Sequence, residues 1–202
     1  FNICGKYGVQ VASLLSKAAA LNISKICPLH GPVLENEKLA DALRLYSIWS
    51  KYDVETPGGV LVAYASIHGG TKEAAEKIAK MLEEKGATKV AITDLSRDDM
   101  AEAIEDAFRM ESLVLAAATY DGSIFPPMHY FLHKLSIKGY QRRRVGLIEN
   151  GTWAPQAAKI MRTQLEAMKQ IEIVEPVVTI KSKMKQADVP ALEALANAIV
   201  RK

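Results

Sequence analysis

The sequence predicts an α/β fold: a three-layer, doubly wound, five-stranded parallel sheet in the order 2-1-3-4-5, preceded by a short helical segment. Three observations predict it. Apolar runs at 60–65, 89–93, 113–118, 144–148 and 171–180 leave no polar face for water, as in strands covered on both sides. A helical-period pattern follows each run, and strict alternation of strand and helix requires parallel crossovers. The second-half repeat of a six-stranded dinucleotide fold is missing, which leaves the five-stranded order.

The elements follow in chain order. Residues 7–20 carry Val11, Leu14, Leu15 and Ala18 at helical spacing. Ser24–Cys27 is a short strand that enters the rigid turn Pro28-Leu29-His30-Gly31-Pro32. Residues 36–52 form a helix with Leu39, Leu43, Tyr46 and Trp49 on one face. Asp53-Val-Glu-Thr-Pro-Gly-Gly59 reads as a linker, dividing a unit at 1–53 from one at 58–202. Val60–Ala65 is the first sheet strand. A helix over 72–85 buries Ala75, Ile78, Ala79 and Leu82, and Gly86 stops it. Lys89–Thr93 is the second strand. Ser96-x-x-Asp99 resembles a capping box ahead of a helix burying Met100, Ile104 and Phe108. Leu113–Ala118 is the third strand, and Pro126-Pro127 opens a helix with Phe131, Leu132 and Leu135 inward. Arg144–Ile148 is the fourth. Pro155 opens a helix with Ala158, Ile160, Met161, Leu165 and Met168. Ile171–Ile180 is the fifth strand, and Pro176 within it calls for an edge position or a bulge. Asp188 caps a final helix burying Leu192, Leu195 and Ile199.

The bulk properties exclude several classes. A net charge of +3 over 202 residues is too small to argue for nucleic acid, and 49% hydrophobic with 24% charged residues is ordinary globular composition. No apolar run reaches the ~20 residues of a membrane helix. Two cysteines, Cys4 and Cys27, make no disulfide framework and suit a reducing cytoplasm. The start at Phe1, with no secretory signal, suggests a truncated chain.

The stretch Ser66-Ile67-His68-Gly69-Gly70-Thr71 joins the first strand to its helix. Helix-start N–H groups are free and the helix dipole adds positive potential there. Gly69 and Gly70 let a ligand approach the backbone. The Walker spacing and the Gly-x-Gly-x-x-Gly fingerprint are both absent, so a monophosphate held by amides and hydroxyls remains, as in flavin mononucleotide sites. A ligand-free strand-to-helix turn is the alternative. In this topology the loops after strands one, three and four converge. The second holds Thr119-Tyr120-Asp121-Gly122 and the third Asn150-Gly151-Thr152-Trp153. One aromatic, a glycine and small polar groups in each suit a flat amphipathic ring; an aromatic merely covering the sheet edge is the bland reading of Tyr120 and of Trp153.

Taken together, Cys27-Pro-Leu-His-Gly-Pro32, Leu45-Tyr-x-x-Trp49, Ala63-Tyr-Ala-Ser66 with Gly69-x-Thr71, Thr119-Tyr120 with Ile124-Phe-Pro-Pro127, and Asn150-Gly-Thr-Trp153 resemble the C-terminal part of the flavodiiron proteins, or A-type flavoproteins. The resemblance implies a flavodoxin-like domain binding FMN non-covalently, preceded by the tail of a metallo-β-lactamase-like domain at 1–53. It implies an oxidoreductase in which electrons pass from a rubredoxin or another small donor, through the flavin, to a non-haem diiron centre. That centre reduces dioxygen to water or nitric oxide to nitrous oxide. It also implies a head-to-tail homodimer. Ser66, Ile67, His68, Gly69, Gly70 and Thr71 would hold the phosphate. Thr119, Tyr120, Asp121 and Gly122 would line one side of the ring, and Asn150, Gly151, Thr152 and Trp153 the other. His30 falls where the family has its last iron ligand. The sequence departs from the family in having Gly70 where Asn is common, which removes a side-chain donor to the phosphate. The His-x-Glu-x-Asp-His iron motif is absent from the chain, and one histidine cannot hold two irons.

No general acid–base or nucleophile–histidine pair is discernible, so no catalytic residue is assigned. A flavin-free domain for assembly or docking and a free-standing flavin-dependent quinone reductase are the alternatives. His129 and His133, four apart, read as an exposed helix face. Gln141-Arg-Arg-Arg144 reads as a solvated strand entrance or as steering for an acidic donor, and Lys181, Lys183 and Lys185 likewise.

Overall fold

The computed structural model describes residues 1–3 and 5–201; Cys4 lies outside them. The N-terminal part comprises α1 (Gly8–Ala18), the hairpin of β1 (Lys25–Ile26) and β2 (Leu34–Glu35), and α2 (Asn36–Ser50). The rest alternates: β3 (Thr56–Ala65), α3 (Gly70–Glu84), β4 (Lys89–Asp94), α4 (Met100–Arg109), β5 (Met110–Tyr120), β6 (Ser123–Ile124), α5 (Pro126–Ile137), β7 (Arg144–Asn150), α6 (Ala157–Glu166), β8 (Glu172–Ile180) and α7 (Val189–Val200). The main strands pair in parallel as β4-β3-β5-β7-β8, the expected order 2-1-3-4-5.

Residues along each strand alternate between two cores. Leu61, Ala63, Leu113, Leu115, Val145 and Leu147 face α4, α5 and α6. Val60, Val62, Val114, Ala116, Ile148 and Val178 face α3 and α7. Burial on both faces explains why the strand sequences lack alternation. In α3, Ala74, Ala75, Ile78, Ala79 and Leu82 recur at helical spacing and are buried. That helix ends at Lys85, with Gly86 at φ 89° and the Ala87 N–H donating to the Leu82 carbonyl at 3.0 Å.

Several expectations are corrected. Thr56–Gly59 is strand rather than linker: β3 begins at Thr56 with a register shift before Val60. Gly58, at φ 73°, makes that irregularity; its N–H donates to the Glu111 carboxylate, and the Thr88 hydroxyl donates to the Pro57 carbonyl. Asp99, not Ser96, caps α4, accepting from the Ala101 N–H at 2.7 Å. Asp188 stands at the N-cap of α7 as expected, but its carboxylate accepts from the Lys185 N–H of the preceding turn rather than from the helix amides. α6 starts at Ala157, two residues after Pro155. On α1, Leu14 is 61% exposed, so the expected face is not a core face. Pro176 does sit in the edge strand β8, next to a register shift.

The arginine run is not a solvated entrance. Arg143 is buried, and its guanidinium donates to the carbonyls of Met110 (2.9 Å), Phe108 (2.7 Å), Tyr52 (2.9 Å) and Asp53 (3.1 Å). Burial pushes its pKa below the ordinary guanidinium value, yet a guanidinium stays charged at neutral pH. Arg144 donates to the Ala198, Ile199 and Arg201 carbonyls, closing the C-terminal end of α7. Arg142 is exposed, donates to the Lys51 carbonyl and pairs with Asp53 at 3.2 Å. Residues 52–53 are thereby fastened to the sheet, and Phe1 stacks on Phe108 at 4.2 Å.

Candidate functional site

At the C-terminal ends of β3, β5, β7 and β8 the loops enclose an open cleft of about 630 Å³. Because β3 lies between β4 and β5, its crossover turns one way and that of β5 the other, which opens a crevice there. Among the residues expected to bind a ligand, Ile67, His68, Gly69, Gly70, Thr119, Asp121, Gly122, Asn150, Gly151, Thr152 and Trp153 line it.

Ser66, Thr71 and Tyr120 are placed otherwise. The Ser66 hydroxyl accepts from the Gly69 N–H at 3.0 Å, which shapes the loop from within. Thr71 is 2% exposed in the first turn of α3 and does not line the cleft. Tyr120 packs against Phe125, ring centroids 5.7 Å apart, outside the cleft lining. His30 is exposed in the turn between β1 and β2. No group of three or more His, Cys, Asp or Glu suited to a metal occurs among the described residues.

The first loop ends at Gly69, φ 92°, which is the N-cap of α3. A Cβ built there would meet nothing within 4 Å, so its positive φ rather than crowding calls for glycine, and the first-turn amides of α3, which have no partner within the helix, follow it at the cleft. Glu73, in the first turn of α3, also lines the cleft.

The second loop is a two-residue hairpin. Thr119 and Tyr120 pair antiparallel with Ile124 and Ser123, and Asp121 and Gly122 turn between them at φ 50° and 67°. Both positive φ values mark a turn that Asp-Gly favours, and β6 was legible there. The Thr119 hydroxyl accepts from the Gln156 and Ala157 N–H groups at 3.0 and 3.3 Å, tying this loop to the start of α6. The buried Glu149 accepts from the Ala158 N–H and the Thr179 hydroxyl, both at 2.9 Å. In the third loop, a Cβ on Gly151 would lie 2.9 Å from Pro155 Cα and 3.1 Å from Thr119 Oγ1, so this close approach requires glycine. Trp153 is 95% exposed at the cleft mouth.

The loop after β8 also reaches the cleft through Ser182 and Lys183. The Asn150 amide donates to the Ser182 carbonyl at 2.7 Å and accepts from the Ser182 N–H at 3.0 Å. Ser182 is held at φ 67°, and its carbonyl oxygen would lie 2.2 Å from a Cβ on Gly70. A side chain at position 70 is therefore excluded by the neighbouring loop.

The cleft of this doubly wound α/β domain thus joins the start of α3 at one end to small polar loops with an aromatic at the other. The size suits a small cofactor. A flavodoxin domain model matches residues 61–179, more than half of the chain, and the chain belongs to the flavodoxin domain family. It is 22% identical over 174 residues to the type A flavoprotein fprA of Rhodobacter capsulatus, covering 85% of this chain and 40% of that protein. The rubredoxin oxygen:oxidoreductase of Desulfovibrio gigas superposes with a TM-score of 0.89 at 19% identity, covering 99% of this chain and 50% of that one. The flavodiiron protein of Giardia intestinalis does so with 0.86 at 17% identity, covering 98% and 48%. The chain thus spans half or less of these relatives and has the flavodiiron fold over that span.

Proposed function

We propose that this chain binds FMN non-covalently in the cleft and serves as an electron-transfer module of a flavodiiron oxidoreductase. The observation that carries the reading is the convergence of three predicted loops on one cleft against the open N-terminus of α3. The residues fit the group. Gly69 and Gly122 line the cleft with open space around them, nothing lying within 4 Å of a Cβ built on either, and Trp153 stands free to cover a ring. FMN, when bound, supplies reversible one- and two-electron chemistry. The chain's own groups bind and orient it, with the amides of Gly70 and Thr71 at the phosphate and loops 119–122 and 150–153 about the ring.

In this reading residues 1–53 are the end of a metallo-β-lactamase-like domain, and His30 is a ligand of an iron pair completed outside the described residues. A rubredoxin-like donor would supply electrons, a second copy would set the flavin against the iron pair, and dioxygen or nitric oxide would be reduced in the cytoplasm. No helix among the described residues is long and apolar enough to cross a membrane. The test is spectroscopic: chain incubated with FMN and desalted retains visible flavin absorption that dithionite bleaches. Colourless protein after incubation at micromolar FMN overturns the reading. It would favour a flavin-free docking domain instead, to which the Glu73 carboxylate in the cleft lends specific support.

A further inference from the structure

The loop after β8 contributes Ser182 and Lys183 to the cleft, and neither belongs to the three loops that define the site. Asn150 is only 9% exposed, and both ends of its amide are engaged by the Ser182 backbone. Those bonds occupy both ends of the Asn150 amide within the cleft wall. They fix the loop where it crosses the start of α3, with the Ser182 carbonyl against Gly70. The Ser182 carbonyl and the Lys183 N–H are one planar peptide unit, so the Lys183 side chain leaves the loop beside the α3 N-terminus. The same end of the cleft holds Glu73, whose charge opposes an anion.

Resting on the FMN reading, we propose that Lys183 is the cationic contact for the phosphate and that Asn150 is the residue that positions it, through Ser182. The loop takes the space that a side chain at position 70 would fill and supplies a positive charge in its place. Lys183 is exposed, so its ammonium gains a screened attraction rather than a buried one. The consequence is a preference for phosphorylated over unphosphorylated flavin.

The test is a titration of FMN and of riboflavin into the chain, Lys183→Gln, Asn150→Ala and the double variant, at low and high salt. FMN affinity falls about fivefold in Lys183→Gln, the size of one exposed charge pair, and riboflavin affinity is unchanged. High salt shrinks the difference. Asn150→Ala weakens FMN as much or more, and the double variant is no worse than Asn150→Ala. Lys183→Gln alters an exposed side chain and keeps the test valid if Asn150→Ala does not fold. The proposal is overturned if Lys183→Gln binds FMN like the parent, if it loses both flavins equally, or if the two substitutions multiply. A parent chain that takes riboflavin as tightly as FMN overturns it while the flavin reading stands. A parent that binds neither overturns both.

Discussion

Replacing Arg143 with Met removes the side chain whose hydrogen bonds join residues 52–53 to β5 and to the end of α4. Four of its contacts, at 2.7–3.1 Å, go to the carbonyls of Phe108, Met110, Tyr52 and Asp53. Hydrogen bonds to a charged group contribute about 1.5–3 kcal/mol each, net of the water bonds they replace, and less when they share one donor group. The bonds to Phe108 and Met110 are themselves buried, so losing the donor leaves two carbonyls unsatisfied at about 1–3 kcal/mol each. Relief of the guanidinium's own desolvation offsets part of this. The net loss is about 3–5 kcal/mol, the range for breaking a buried charged network, against the ~5–15 kcal/mol that holds a domain folded. Arg143→Lys keeps the charge and loses the fork, so it recovers less than half. Urea unfolding measures this, with the far-ultraviolet signal reporting the sheet. Trp49, whose indole N–H donates to Glu55 at 2.6 Å, reports the preceding segment. In Arg143→Met the Trp49 transition moves ahead of the sheet transition. A loss below about 1 kcal/mol, or an Arg143→Lys chain as stable as the parent, would refute the reasoning.

Further outcomes follow from the same structure. Gly70→Ala drives the Ser182 carbonyl away, because its Cβ would stand 2.2 Å from that oxygen. It strains the two Asn150 bonds, costing about 1–2 kcal/mol in urea melts; the cost largely vanishes in an Asn150→Ala background, and an undiminished cost there would contradict the clamp. Glu73→Gln removes a carboxylate from the cleft and tightens FMN binding about two- to fivefold, read by titration; weaker binding would mean that Glu73 holds the ligand. The phenol of Tyr64 is pushed up from 10.0 to about 12, chiefly by burial, with Asp94, Glu76 and Asp98 adding to it. Its stabilising contribution is whole below pH 10, where the unfolded phenol is also neutral. It falls as pH rises from 10 through about 12. Stability measured over that window declines less steeply in Tyr64→Phe than in the parent, and parallel profiles would remove Tyr64 as a cause.

The sheet order was legible because burial on both faces forces continuous apolar runs, which the sequence shows at Val60–Ala65 and Leu113–Ala118. The start of β3 was not, because Pro57-Gly58-Gly59 has linker composition, and what makes it strand is a set of bonds from distant Thr88 and Glu111. Arg143 could not be told from its neighbours Arg142 and Arg144, since one residue's offset separates buried, solvated and helix-capping positions. Most of the cleft lining came from the three loops at the switch point, and Asp121-Gly122 carried a hairpin signal in plain view. Lys183 was read only as a surface or donor-steering charge, and Ser182 carried no signal at all. Their place follows from the pairing of Asn150 with Ile180, which brings the end of β8 alongside the third loop.

The central claim is that the cleft among β3, β5, β7 and β8 receives a single FMN. The chain has two tryptophans, Trp49 and Trp153, so in a Trp49→Phe chain Trp153 is the sole indole, standing at the cleft mouth. Titrating FMN into that chain should quench Trp153 emission to saturation at one flavin per chain with micromolar affinity. Emission that does not respond to FMN, while the circular dichroism spectrum remains that of the folded parent, would contradict the account.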